Sequence, residues 1–339
     1  MIAAIAGLGF ATPQAYAQSD LSARLAEAWG LRGQDRDRWS RIVASSGIER
    51  RCAVADLAAT LRISTAERMR IFEREAPRLA GEAALAAMRA ARVGADEITD
   101  VVVATCTGFA APGVGHVLAR ELRLSDRVRQ NQVGFMGCFG GVVGLRTACG
   151  LAATDRGTAV LLVCVELCSL HLRDSSDPQH LVAAALFADG AAAAVIKRAD
   201  AGGTRLAGLA PGRTRVLADA RDAMTWRILD DGFAMTLTRE VPRALERSIG
   251  EFVAEASPRG AVIHPGGAGV IDAIERGLRG RAIDERSFTS SRAILRDYGN
   301  MSSGSVLFVL DAYLRSGGAV PADVLAFGPG LTVDAVCVA

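Results

Sequence analysis

Residues 134–153 read GFMGCFGGVVGLRTACGLAA, and this stretch decides the fold. Glycines crowd its first half around Cys138, and from 139 to 151 nearly every residue is apolar. A helix that is apolar almost all round has to lie inside a protein. Upstream, ITDVVVATC (98–106) is a continuous apolar run that reads as a buried strand ending in a Thr/Gly-rich loop. Downstream, 158–165 reads as a second buried strand. The same order returns later in the chain. GAVIH (260–264) is a strand ending in Pro265-Gly266-Gly267, and Gly299-Asn300 opens a second all-apolar helix through about 314. Strands follow at 324–327 and 332–338, separated by Gly328-Pro329-Gly330.

Strand, glycine loop, helix and strand thus occur twice. Continuous apolar strands match a sheet covered on both faces, as parallel sheets are. Two similar halves sharing buried central helices imply an α/β fold in α/β/α/β/α layers. The competing reading is two unrelated halves of a general α/β protein. The most linker-like segment is 199–215, with Gly202-Gly203 and Pro211-Gly212, so the halves are placed at 1–200 and 201–339.

Composition narrows the function classes. The 339 residues are 50% hydrophobic and 22% charged, which excludes a disordered chain and calls for a large core. The balance of 39 basic against 37 acidic residues, +2 net, gives no electrostatic footprint for nucleic acid or lipid. Seven scattered cysteines suit a reducing cytoplasm better than a disulfide framework. The longest apolar runs stop short of the roughly 18 residues a membrane span needs. Residues 1–17 imitate a signal peptide ending in Ala15-Tyr16-Ala17, but no Lys or Arg precedes the apolar stretch. Gly7, Gly9 and Pro13 make that segment read as a short strand running into a loop.

The groups able to do chemistry are few. Cys138 stands at the first turn of its helix, where unpaired N–H groups and the positive end of the dipole favour a thiolate. Those N–H groups also suit an oxyanion formed when the thiol attacks a carbonyl. His264 ends an apolar strand, where open α/β sheets deliver functional side chains. Asn300 precedes the second buried helix. Taken singly, each has an ordinary explanation: a small core cysteine, a structural histidine, an N-cap asparagine. The internal symmetry is what unites them, because a pseudo-dyad between the halves brings all three to one point. A thiolate takes an acyl group from a thioester, and an imidazole and a carboxamide hydrogen-bond a second thioester carbonyl as it becomes an enolate. Decarboxylation of a malonyl thioester and its condensation onto the bound acyl group need those three groups and no carboxylate base.

Four separated motifs carry a family resemblance: MGCFGG (136–141), HPGG (264–267), GNMSS (299–303) and FGPGLT (327–332). Together they resemble the signatures of type III polyketide synthases, the chalcone synthase family, and the likeness runs from GLGFATP (7–13) to the last strand. The resemblance implies a thiolase fold, a homodimer, and no bound metal or prosthetic group. Coenzyme A thioesters, malonyl-CoA and a starter acyl-CoA, are the implied substrates. It also implies that Cys138 carries the growing chain while His264 and Asn300 assist loading, decarboxylation and condensation.

Further positions follow from the same resemblance. Arg38 and Arg41 in RWSR (38–41) fall where the family holds the CoA phosphates, and their forked donors suit phosphate. Ser45 stands where the family often has a third base, and Gly269 falls at a CoA-binding position. A solvated basic helix face is the alternative for the two arginines. Phe187 matches an aromatic gate between CoA tunnel and cavity; Met235 takes the place of a second, usually Phe, gate. Cys106, Cys168 and Ser302 map to the pocket. Cysteine at 106 and 168 resembles bacterial members such as tetrahydroxynaphthalene synthases. Trp226 falls where plant enzymes carry a small residue, so it shortens the space for the chain. Asp189 reads as a structural acceptor. The spacing of Cys164, Cys168 and His171 approaches a zinc pattern but lacks a fourth ligand. Two alternatives remain at this stage: an initiating ketoacyl-ACP synthase and a non-catalytic dimeric scaffold.

Overall fold

The computed structural model describes every residue except 1, 156, 174–176, 202–205, 211 and 257. Gly202, Gly203 and Pro211 of the linker reading therefore lie outside the described residues. The chain runs β1 (Ala3–Ala11), β2 (Ala15–Ala17), α1 (Gln18–Ala28), α2 (Gly33–Ala44), β3 (Arg50–Cys52), α3 (Leu57–Thr60) and α4 (Thr65–Ala91). There follow β4 (Asp100–Ala104), α5 (Val114–Glu121), β5 (Arg129–Val133), α6 (Gly140–Ala152), β6 (Ala159–Leu167), α7 (Pro178–Leu186) and β7 (Asp189–Arg198). The remainder holds β8 (Ala207–Leu209), β9 (Arg213–Val216), the hairpin β10 (Met224–Leu229) and β11 (Gly232–Leu237), then α8 (Glu240–Ala254) and β12 (Gly260–Ile263). It closes with α9 (Ala268–Gly277), α10 (Arg286–Tyr298), α11 (Ser305–Arg315), β13 (Ala322–Gly328) and β14 (Thr332–Val338).

The repeat read from the sequence is a repeat of pairing. In the first half β4 lies parallel to β6, and β6 antiparallel to β7. In the second half β12 lies parallel to β13, and β13 antiparallel to β14. The two sets join through β1 and the short β8 into one sheet ordered β12-β13-β14-β8-β1-β7-β6-β4-β5, with β9 beside β14. The expected parallel sheet is thus corrected to a mixed one. Continuous apolar strands report helices on both faces, and that coverage buries antiparallel neighbours equally well.

Three apolar clusters make the layers. Phe72 and Leu79 of α4 and Leu118 of α5 cover the outer face of the first set of strands. Val142 and Leu145 of α6, with Val306 and Val309 of α11, fill the middle between Leu162 of β6 and Val324 of β13. Leu245 and Phe252 of α8 and Ile274 of α9 cover the far side. This is the α/β/α/β/α arrangement, and both all-apolar helices occupy the central layer.

Local chemistry fixes the details. A capping box starts α4: the Ser64 hydroxyl accepts from the Glu67 N–H, and the Glu67 carboxylate accepts from the Ser64 N–H at 2.9 Å. Ala80, Ala83, Ala84 and Ala87 give α4 a shallow buried face, so β1 approaches it backbone to backbone. A Cβ at Gly9 would overlap the main chain of Ala83 and Ala87. Gly7 and Gly9 are therefore interior positions of a buried strand, and the loop expected near them begins only after Ala11. Among the described residues no helix is long and apolar enough to cross a membrane.

Gly9→Ala should destabilise the fold by about 3 kcal/mol through overpacking against α4. Gly150→Ala, in the exposed last turns of α6 with open space at its Cβ, should stabilise it by about 0.5–1 kcal/mol. Chemical denaturation followed by circular dichroism measures both, and equal effects at the two sites would contradict the close-approach account.

Candidate functional site

The site lies where the heads of α6 and α11 meet. Each helix is preceded by a 3₁₀ turn, Gly137–Phe139 and Ser302–Gly304. A Cβ at Gly141 would overlap the Ser303 carbonyl, so the glycine is what lets the heads touch. Gly137 takes φ +58 under the ring of Pro329, and its counterpart Ser302 takes φ +47, a left-handed conformation unusual for a non-glycine residue. The symmetry partner of Cys138 is consequently Ser303. Asn300 does not head α11 as expected but stands just ahead of the turn, where its side-chain oxygen accepts from the Ser302 N–H at 2.9 Å.

Cys138 is 5% exposed, and the side chains of Ser302 and Asn300 stand close enough to its thiol to lower its pKa. Asn300 is held by its backbone: its N–H donates to Leu186 O, and its carbonyl accepts from Ala188 N–H, both at 2.9 Å. Its carboxamide nitrogen donates to Gly266 O at 3.4 Å. His264, at the end of β12, is 1% exposed and anchored by its N–H to Leu325 O at 2.8 Å, while neither ring nitrogen meets a hydrogen-bond partner. Cys138 and Asn300 thus stand near one another, and His264 is joined to Asn300 through the Gly266 loop that Asn300 touches.

A chamber opens in front of Cys138, lined by Cys106, Cys168, Ser302, Phe187, Trp226 and Met235. All six pocket positions expected from the sequence therefore face one space, of about 50 Å³. Its far wall is the β10–β11 hairpin, fastened to the loop after β4. Trp226 Nε1 donates to Cys106 O at 2.9 Å. His171 accepts from Phe233 N–H at Nδ1 (3.1 Å), so its Nε2 carries the proton toward Thr107 O at 2.6 Å. The ring stacks on Phe233 with centroids 4.0 Å apart. Both His171 nitrogens are committed to protein groups and Cys164 points into the central apolar layer, an arrangement unlike a zinc site. Asp189 accepts from the N–H groups of Val54 and Ser169 at 2.8 and 2.7 Å, and from the Ser169 hydroxyl.

Beyond α7 lies an outer groove. Val182, Ala185 and Leu186 face it while Ala183, Ala184 and Phe187 face the chamber, so α7 separates the two. The groove runs from Gly266, Gly267 and Gly269 at its inner end to Arg38 and Arg41 of α2 at its outer end. Arg38 is shared with Asp35 at 3.5 Å.

Electrostatically the chamber penalises charge. Burial pushes the Cys138 thiol up to about 12, against hydrogen bonds from Ser302 and Asn300 that lower it. Burial thus opposes the thiolate that the helix terminus favours. Burial lowers His264 to about 3 and His171 to about 4, leaving both neutral at pH 7. The thiols of Cys106 and Cys168 are pushed well up by burial, and then by the carboxylate of Glu166.

Glu166 is the residue sequence reasoning missed. Wholly buried in β6, it accepts from Cys106 N–H at 3.0 Å, Thr107 Oγ1 at 2.8 Å and Ser303 Oγ at 2.6 Å, and lies 3.5 Å from the Cys106 sulfur. The available signal was an ionisable residue inside the otherwise apolar AVLLVCVEL strand, a costly placement that marks function or a polar network.

Comparison with known proteins gives a consistent set of likenesses. Residues 47–200 match the family model for chalcone and stilbene synthases, N-terminal domain, and residues 209–339 match the C-terminal domain. The chain is 33% identical over 297 residues to type III polyketide synthase 10 of Oryza sativa subsp. japonica, covering 80% of this chain and 73% of that one. The C-terminal type III polyketide synthase domain of Steely1, a type I/III hybrid from Dictyostelium, superposes with a TM-score of 0.92 at 27% identity. The alignment covers 100% of this chain and 99% of that one.

The Glu166 charge raises the Cys138 pKa, so Glu166→Gln should lower it and enlarge the thiolate fraction. Alkylation of Cys138 by iodoacetamide at pH 8, followed by peptide mass spectrometry, should quicken about fivefold, on the scale of tenfold per pKa unit. A slower or unchanged rate would show that the carboxylate does not govern the field at the sulfur.

Proposed function

Since the chain belongs to the chalcone and stilbene synthase family and is a type III polyketide synthase, an acyltransferase of thiolase fold, we propose that it condenses malonyl-CoA onto a starter acyl group held on Cys138. The observation that carries this reading is the approach of Cys138 and Asn300 at a largely apolar chamber, with the unpartnered ring of His264 joined to Asn300 through the Gly266 loop. His264, neutral at working pH, takes the thiol proton, and the sulfur attacks the starter thioester to leave an acyl-enzyme and free CoA. Malonyl-CoA then loses CO₂, and its thioester oxygen becomes an enolate oxygen that accepts from His264 and from the Asn300 carboxamide. The enolate carbon attacks the acyl group and expels the Cys138 thiolate, which is reloaded for the next round. Loss of CO₂ generates the carbanion, so the proposal requires no resident metal or prosthetic group.

In this scheme the half spanning 1–200 supplies the nucleophile and the half spanning 201–339 supplies the two hydrogen-bond donors. Phe187 and Met235 gate the chamber, and Trp226 limits the chain to a compact product that cyclises to a small aromatic or pyrone. Coenzyme A lies in the outer groove along Gly269, with phosphates toward Arg38 and Arg41. We propose a cytoplasmic homodimer, as the family implies. The ketoacyl-ACP synthase and scaffold alternatives are not favoured, because both halves match chalcone and stilbene synthase models.

Cys138→Ala should abolish product formation from malonyl-CoA while leaving the unfolding midpoint nearly unchanged, because the neighbours of the sulfur survive. His264→Ala and Asn300→Ala should each slow malonyl-CoA decarboxylation about 100-fold or more, by loss of an enolate donor. Normal ¹⁴CO₂ release in both variants would contradict these roles. Trp226→Gly should lengthen the product or widen the starter range, as read by mass spectrometry with a panel of starter CoAs. An identical product set would refute the assignment of the wall.

A further inference from the structure

The outer end of the groove, about 670 Å³, is lined by three cations, Arg38, Arg41 and Arg239, and by no acid. Arg38, Arg41, Ile42 and Ser45 are one face of α2, spaced three and four apart. Arg239 comes from the opposite wall, in the connection between β11 and α8. Its own surroundings do not claim it. Neither Arg239 nor Arg41 has an acidic or hydrogen-bonding side-chain partner among the described residues, and neighbouring Glu240 is taken by Arg247 at 2.5 Å. Ser45 donates its hydroxyl to Ile42 O at 3.0 Å and offers no cation. Ile42, Ser45, Val182, Leu237, Thr238 and Arg239 also line the inner groove, which ends at the Gly266 loop beside Asn300 and His264. Arg239 therefore stands at the junction of a wide cationic mouth and a narrower, mostly apolar passage ending at the Gly266 loop.

We propose that Arg239 is a third phosphate-binding residue for the CoA thioester, closing on the phosphates from the wall opposite Arg38 and Arg41. This rests on the reading of the groove as the CoA path. The guanidinium supplies, across the groove, the charge that Ser45 lacks on α2. A forked donor free of acidic partners gives phosphate oxygens charge-assisted hydrogen bonds without first breaking an ion pair. The place of Arg239 at the junction sets how far the thioester arm reaches inward, while the chemistry at Cys138 does not involve it. Arg239 is a substrate-anchoring residue whose effect falls on binding.

Steady-state kinetics with malonyl-CoA and with phosphate-free malonyl-pantetheine test the proposal. Arg239→Ala should raise KM for malonyl-CoA about tenfold relative to KM for malonyl-pantetheine, with kcat changed by less than about twofold, and Arg239→Lys should recover part of the loss. Isothermal calorimetry with adenosine 3′,5′-bisphosphate should show the same tenfold weakening in Arg239→Ala, and it needs no turnover. Equal KM effects on both thioesters, or unchanged bisphosphate affinity, would overturn the role of Arg239. Absence of any product from malonyl-CoA with the unsubstituted enzyme would instead count against the proposed reaction, with the calorimetry still deciding the phosphate contact.

Discussion

The contact on which the site depends is the meeting of two buried helix heads, Gly141 of α6 against the carbonyl of Ser303. It contains no functional group, yet it fixes the spacing of every functional group around it. Because each helix belongs to a different half, the contact converts an internal repeat into a site that neither half contains alone. A side chain at Gly141 would wedge the heads apart and part Cys138 from Ser302 and Asn300. Below the contact, Glu166 ties both halves together: it accepts from the loop after β4 through Cys106 and Thr107, and from the second half through Ser303. A buried carboxylate is expensive, but here each oxygen is satisfied by donors, which makes the charge a fastening instead of a defect.

The same burial that builds the site sets its electrostatic character. The thiols are driven up and the imidazoles down by one cause, loss of water, so both kinds of group are held toward their neutral forms. Such surroundings suit a reaction that begins with a carboxylate and disperses its charge. In the proposed reaction, desolvation would raise the ground state of the malonyl carboxylate, while the developing enolate oxygen would meet donors that need no reorganisation. A water-filled cleft would stabilise the wrong end of that step. The unpartnered nitrogens of His264 fit the same logic, since a ring already bonded to protein has nothing left for a substrate oxygen.

Much of this was legible in the sequence because it rests on patterns that are local. The all-apolar helices, the glycine-headed turns and the strand order come from composition within twenty residues, and they reappear at the expected places in the structure. Strand direction was not legible: Val, Ile and Leu runs report coverage by helices and carry no sign for parallel or antiparallel neighbours. Gly7 and Gly9 were read as the approach to a loop, although their purpose is visible only when α4, sixty residues later, lies across β1. The electrostatic setting of Cys138 was only half legible for a similar reason. The helix dipole is readable from position, but the desolvation that opposes it depends on Phe187, Trp226 and the hairpin, whose convergence no local pattern announces. Glu166 was hidden in the opposite way, as a single charged letter in a strand whose apolar character dominated the reading.

The chamber wall shows how a surface far from the nucleophile acquires a fixed shape. The hairpin that carries Trp226 is edge structure, paired only within itself, and would drift without tethers. Thr65 at the start of α4 and Arg173 hold its turn, and two consecutive carbonyls hold its face: Cys106 O accepts from Trp226, and Thr107 O accepts from His171, which in turn accepts from Phe233 N–H. The His171 tether works only for one tautomer. Nδ1 must remain an acceptor for Phe233 while Nε2 donates, and protonation would turn that acceptor into a second donor facing an N–H. With the ring held down to about 4 by burial, the doubly protonated form is absent at neutral pH. Sign follows directly: a histidine whose folded pKa lies below its unfolded value contributes least penalty above about pH 6.5, and costs stability as pH falls through that value toward 4. Protonation of His171 therefore weakens this tether in acid. The Trp226 side chain is part of that wall and takes up space in the chamber.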